Sequence, residues 1–312
     1  MVIVPPLRRF LLKVLCTVYL QTAFWLSHIL CLACQIFFVI TCKWWMPERY
    51  LTEILAFCQQ ITALFVMVLN PFWRMHCVRR HPDGIPKSAI VVSNHLSFVD
   101  SWVVCYATFP IGPKFIAMST LFNVPFLGQV MYFGGHIPVK FFRKEGGRWG
   151  VKNSKQIMDR AKQYLSWGLR VAVFPEGVRS KTGEFGEFKI GFFKLAHEQN
   201  RPIVPIPAWG NQYMFPIDGY GSCNPTRVCY EVGAVIHPSD FETPELLRDH
   251  VLERMREMRD ALPNFSYEQI EKAKAREDAR RAKRAAAREA KKANVAPQEE
   301  AVGAPATGLP EL

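Results

Sequence analysis

Charge is missing from two long stretches of the sequence. From Val14 to Cys42 there is no Asp, Glu, Lys or Arg, and from Ile54 to Trp73 there is none either. A solvated surface helix needs a polar face, so neither stretch reads as one. Each is long enough to cross a hydrocarbon core, which takes roughly 20 apolar residues. Arg8, Arg9 and Lys13 precede the pair and Arg74, Arg79 and Arg80 follow it, whereas Lys43 and Arg49 between the runs are offset by Glu48 and Glu53. Cations concentrate on the cytosolic side of membrane segments, so both outer ends are expected there. The first run is longer than the apolar region of a signal peptide, and no small-residue cleavage site follows it. Residues 1–75 are therefore expected to stay attached as a membrane anchor. Trp44, Trp45 and Pro47 suit either interface, so a full crossing and a one-leaflet hairpin both remain open.

Other absences narrow the function. The "CLAC" at 31–34 has no second Cys or His pair, which removes a structural zinc site; no metal is expected. The nine cysteines show no disulfide spacing, and five lie in or beside the apolar runs as small hydrophobes. The net charge of +12 calls for an anionic partner. No helix-turn-helix pattern, Cys-His pairing or interleaved aromatic run is present, so nucleic acid is not expected. An acidic membrane surface or a phosphorylated substrate is left. From Tyr267 onward large apolar residues almost vanish, which rules out a packed core there. Residues 265–294 read as a charged basic helix, either solvated or lying against anionic lipid, and 295–312 as a disordered tail.

Between these ends, residues 76–264 alternate short apolar runs with helical stretches, the rhythm of an α/β domain. Helices are expected over about Lys152–Trp167 and Pro244–Leu262. At "SNHLSFVDSW", residues 93–102, His95, Ser97 and Asp100 interrupt an apolar segment just after the strand-like Ala89–Val92. A neutral histidine takes a proton from a hydroxyl, and a carboxylate on its other ring nitrogen fixes the useful tautomer. His95 and Asp100 are thus candidate base and orienting acid, with the nucleophilic hydroxyl supplied by a bound acceptor. Ser97 and Asp100 also have capping-box spacing, with a helix starting near Ser97. A second polar seam, "VAVFPEGVRS" at 171–180, ends a strand in Pro175, Glu176 and Gly177. Arg179 beyond it offers a planar fork for phosphate.

Taken together these segments resemble the glycerolipid acyltransferase family that includes 1-acylglycerol-3-phosphate acyltransferases. Asn94, His95, Ser97 and Asp100 match its Asn-His-x-Ser-x-x-Asp motif. Phe174, Pro175, Glu176, Gly177, Arg179 and Ser180 match its Phe-Pro-Glu-Gly-x-Arg-Ser motif, and Val204 and Pro205 a late Val-Pro motif. The resemblance implies an α/β fold with a mixed sheet flanked by helices. It also implies acyl transfer from acyl-CoA or an acyl carrier protein to a lysophospholipid such as lysophosphatidic acid, with no further cofactor. Membrane phospholipid synthesis follows, with the catalytic domain facing the cytosol at the endoplasmic reticulum or a bacterial inner membrane. In that family the Glu and Arg of the third motif are associated with the phosphorylated acceptor. The second motif departs: in "GGHIPVKFFR" the family's arginine position holds Phe141 counted from Gly135 or Lys140 counted from Gly134, and Lys140 and Arg143, the latter expected in a loop, are the candidate cations in its place. Remodelling of other lysophospholipids stays open, as does, more remotely, a non-catalytic membrane scaffold.

Overall fold

A computed structural model describes residues 6–143, 149–217 and 221–295. The two charge-free stretches are helices, α1 (Pro6–Cys42) and α2 (Glu48–Val68), both long and apolar enough to cross a membrane. They pack on each other, and the side-chain amide of Gln35 donates to the Leu55 carbonyl at 2.8 Å across the pair. On α1, Cys16, Leu20, Ala23, Phe24, Ser27 and Cys31 are buried along one stripe. Leu11, Leu15, Val18, Leu26, Leu30 and Phe37 are exposed. A helix apolar on both faces suits lipid rather than water.

The chain then forms β1 (Trp73–Arg80), β2 (Ile90–Ser93), α3 (Asp100–Thr108), β3 (Lys114–Met118), α4 (Leu127–Phe133), β4 (Ile137–Val139), β5 (Phe141–Arg143), β6 (Trp149–Val151) and α5 (Ser154–Ser166). There follow β7 (Val171–Val173), α6 (Gly191–Glu198), β8 (Ile203–Ile206), β9 (Ala208–Trp209), α7 (Asn211–Met214), β10 (Thr226–Val232), α8 (Pro244–Asp260) and α9 (Tyr267–Val295). The central sheet is parallel, in the order β4-β3-β7-β2-β8. A three-stranded sheet, β1-β10-β9, pairs parallel and then antiparallel, and β5 with β6 is an antiparallel pair. The 75/76 boundary read from sequence falls inside β1. Helices α1 and α2 belong to one compact unit with the α/β core, residues 6–180 and 185–265 among those described. A second unit comprises 181–184 and the chain from Ser266, including α9.

β-branched content and burial on both sides explain the central strands. Side chains alternate faces along a strand. Val91, Ala172, Val204 and Ile206 accordingly join a core with Val103 and Val104 of α3 and Val66 and Met67 of α2. Ile90, Val92, Val171, Val173 and Ile203 join the opposite core with Ile157 and Leu165 of α5, Phe193 of α6 and Val251 of α8. The helices α5 and α8 lie within two residues of their expected bounds, and Thr243 caps α8 by accepting the Leu246 N–H.

One buried cation ties the helical hairpin to this core. Lys114 is 1% exposed, and its ammonium donates to the Thr52 carbonyl of α2 and the Gly134 carbonyl after α4, both at 2.9 Å. Burial pulls it down to about 7; Glu53 opposes the shift and Arg160 adds to it. The unfolded lysine keeps its proton up to its ordinary range, so between about pH 7 and about pH 10 the unfolded state binds more protons. Stability should therefore rise with pH across that window. Thermal unfolding of detergent-solubilised protein should show this rise for wild type and lose most of it in Lys114→Met; parallel curves for the two would reject the assignment.

Candidate active site

Strands β2 and β7 are neighbours, and both polar seams leave the sheet at their carboxyl ends, the edge where parallel α/β sheets place ligands. The chain between β2 and α3 is folded around one carboxylate. Asp100 is 1% exposed, and its Oδ2 accepts the backbone N–H groups of Leu96 at 2.6 Å and Ser97 at 2.8 Å and bonds His95 Nδ1 at 2.7 Å. Its Oδ1 accepts the side-chain amide of Asn211 at 2.6 Å. An acceptor-only group at Nδ1 requires the proton to sit there, which leaves Nε2 with a lone pair. Among the described residues no protein group is bonded to Nε2, and the His95 side chain is 24% exposed, so the lone pair is reachable. The ring lies on Phe174, with centroids 4.4 Å apart and planes 16° from parallel.

The third motif supports the same histidine from below. Glu176 Oε1 accepts the His95 backbone N–H at 3.0 Å, Oε2 accepts the Gly186 N–H at 3.0 Å, and the Ser180 N–H donates to the His95 carbonyl at 2.7 Å. Glu176 is buried, and that burial raises its carboxyl above the usual range, with the two backbone donors and His95 pulling it back. Gly177 turns the chain at φ +70°, a conformation that favours glycine. Val178 and Arg179 stand exposed on the rim. Asn94 works as a splint: its amide accepts from the Ala208 N–H and donates to the Ala208 carbonyl, each at 2.9 Å, binding the end of β2 to β9.

Three sequence expectations change. The helix starts at Asp100 rather than near Ser97, and its capping position is Val99, with no side-chain cap. Asp100 does accept the Ser97 N–H, half of a capping box, but the Ser97 hydroxyl donates to the Phe215 carbonyl at 2.9 Å instead. Arg143 lies in β5, paired with Trp149, not in a loop. Lys140 and Arg143 are exposed and follow β4, the edge strand that β3 and β7 separate from β2, so the sheet does not bring them beside His95. A cavity of about 720 Å³ lies elsewhere, among Leu51, Leu55, Phe133, His136, Ile157 and Tyr164; residues of the second-motif segment such as His136 line it, and none of the first or third motif does. Sequence reading missed Asn211 and the Phe174 platform. The signal for Asn211 was a polar residue straight after the apolar "VPIPAWG" run.

Residues 77–209 match the model of the acyltransferase family. A chloroplastic 1-acyl-sn-glycerol-3-phosphate acyltransferase of Arabidopsis thaliana is 32% identical over 176 residues, covering 55% of this chain and 46% of that protein. A probable 1-acyl-sn-glycerol-3-phosphate acyltransferase of Mycoplasma pneumoniae is 30% identical over 175 residues, 53% of this chain and 60% of its own. The chain thus spans about half the length of the curated relatives it matches. The crystal structure of the 1-acyl-sn-glycerophosphate acyltransferase PlsC from Thermotoga maritima superposes with a TM-score of 0.61 at 22% identity, covering 83% of this chain and 99% of that one. The fold is therefore shared over most of the chain.

Both carboxylate oxygens of Glu176 are engaged by backbone donors. A glutamine in its place can accept only one of the two backbone N–H groups and sets its own NH₂ against the other, a cost of about 1–3 kcal/mol. Glu176→Gln should lower the unfolding temperature and cut kcat by roughly tenfold as the His95 backbone loosens. A variant with wild-type kcat and unfolding temperature would remove Glu176 from the support of His95.

Proposed function

We propose that the protein transfers a fatty acyl group from acyl-CoA or an acyl carrier protein to the free hydroxyl of lysophosphatidic acid, giving phosphatidic acid. The observation that carries the proposal is the His95–Asp100 bond, which leaves Nε2 as an open base on an acyltransferase-family domain. The acceptor hydroxyl gives its proton to Nε2 as its oxygen attacks the thioester carbonyl. The tetrahedral oxyanion then collapses, the carbon–sulfur bond breaks, and the departing thiolate takes the proton from the imidazolium. Asp100 stabilises that imidazolium and keeps Nδ1 protonated throughout. No covalent acyl-enzyme forms in this scheme. Arg179, exposed beside the Gly177 turn, is the cation best placed to meet the acceptor phosphate, since Lys140 follows the edge strand β4 and Arg143 lies in the separate β5–β6 pair.

The apolar helices α1 and α2 fit an enzyme that draws its acceptor from a bilayer. The basic helix fits the same setting. In α9, Glu268 and Glu271 pair with Lys272 and Lys274, while Glu277 bonds Lys181 at 3.2 Å and Arg281 at 3.5 Å. From Arg280 to Lys292 seven bases face one acid, Glu289, and no apolar side chain is larger than alanine. Such a segment grips anionic lipid by charge, at about 1 kcal/mol per base near the surface, rather than by insertion.

His95→Ala should reduce acyl transfer by roughly 10²- to 10⁴-fold with membrane association and folding intact, measured as thiol release from acyl-CoA with lysophosphatidic acid. Asp100→Asn should be comparably severe, because an amide can present its N–H to the ring and hold the wrong tautomer. Near-wild-type turnover in both would sink the mechanism.

For the acceptor, Arg179→Ala should raise the KM for lysophosphatidic acid by the equivalent of about 1.5–3 kcal/mol and leave the thioester KM alone. Arg179→Lys should recover only part of it. Equal use of lysophosphatidylcholine, untouched by the substitution, would favour remodelling of other lysophospholipids instead.

A further inference from the structure

Three of the four donors to Asp100 come from its own loop and converge on Oδ2. The other oxygen is held from outside. Among the described residues only Asn211 bonds Oδ1, at 2.6 Å and from 111 residues further along the chain. Asn211 is 0% exposed, and its own amide oxygen is buried without a partner among the described residues. Turning the amide over would set two oxygens against each other, so the NH₂ must face the carboxylate. A buried carbonyl left unpaired is costly, and an apolar side chain of similar size would fill the space with no orphan. Packing therefore gives no reason for asparagine here; the bond to Asp100 does. Gly210 aims the residue: its φ is +103°, and a Cβ there would lie 2.3 Å from the Arg227 carbonyl oxygen. Both residues fall just beyond the 77–209 family match.

We propose that Asn211 is a positioning residue for acyl transfer, fixing the plane of the Asp100 carboxylate so that Oδ2 meets His95 Nδ1 and drawing negative charge away from that oxygen. The inference rests on the proposed role of His95 as base. The carboxylates facing His95 are Asp100 from α3 and Glu176 from the β7 exit, and α7 contributes only the neutral amide. Losing the amide frees Asp100 to rotate, which slows transfer. It also concentrates charge on Asp100, which makes His95 more basic.

The test measures kcat, KM and the pH profile of thiol release from acyl-CoA with lysophosphatidic acid, in wild type, Asn211→Ala, Asn211→Asp and His95→Ala. Asn211→Ala should lose roughly 10- to 100-fold in kcat, with both KM values within about twofold. Its activity relative to wild type should climb as pH rises, because the acidic limb of the profile moves up. Asn211→Asp should slope the other way. Two carboxyls so close share a proton, so an O–H replaces the lost N–H until rising pH removes it. Opposite slopes support the role, and a merely structural asparagine would not produce them. Wild-type kcat in Asn211→Ala, or relative activities flat with pH in both variants, overturns it. Should Asn211→Ala fail to fold, the slope of the near-isosteric Asn211→Asp decides alone. Substantial activity in His95→Ala would instead overturn the base assignment on which the inference stands.

Discussion

A carboxylate taken out of water has to be surrounded by donors, and the way Asp100 meets that demand organises the site. Its four hydrogen bonds close the six-residue turn between β2 and α3, fix the tautomer of His95 and reach across to α7. The turn cannot open without stranding the charge. The same constraint explains why the helix begins at Asp100: the side chain that would have served as an ordinary first-turn acid is instead the acceptor for two upstream backbone N–H groups.

Around that carboxylate, the parallel sheet supplies register. β2 sits between β7 and β8, so the segments leaving β2 and β7 emerge side by side, while the end of β8 brings Ala208 within reach of Asn94. Glu176 then does for the His95 backbone what Asp100 does for its ring. Two buried acids thus hold one histidine from two directions, and neither is free to act as a proton donor to a substrate. The third-motif glutamate reads here as part of the frame, while Arg179 stands exposed on the rim.

Polar burial also joins the hairpin to the core. Lys114 caps carbonyls from α2 and from the end of α4, and His136 beside it bonds Gln59 of α2 at 2.7 Å while accepting the Phe115 N–H at 3.0 Å. Burial drives His136 down to about 3, Lys114 adding to the shift, so it stays a neutral link. Membrane-apt helices held this firmly move with the α/β core instead of trailing from it.

Much of this was legible from residue order because the deciding physics was local. Two charge-free stretches can only be apolar helices of spanning length, β-branched runs bounded by glycine and proline form buried strands, and a His-Asp pair at the seam of strand and helix is close enough in sequence to meet. Where a contact spans the chain, order is silent. Asn94 could be seen as polar but not as the splint to Ala208, Glu176 not as the acceptor of the His95 N–H, and Asn211 not as the donor to Asp100. The capping reading of Ser97 failed for the same reason, since the Phe215 carbonyl that claims its hydroxyl is 118 residues away. Lys140 and Arg143 were candidates for a motif's cation, yet strand order puts Lys140 just after the edge strand beyond β3 and β7 and Arg143 in the separate β5–β6 pair. The sequence by itself determined the element types, the two apolar helices and the pairing of His95 with Asp100. Only the tertiary structure decided what each buried polar group bonds to, because burial obliges every such group to find a partner and the fold alone chooses which one is near.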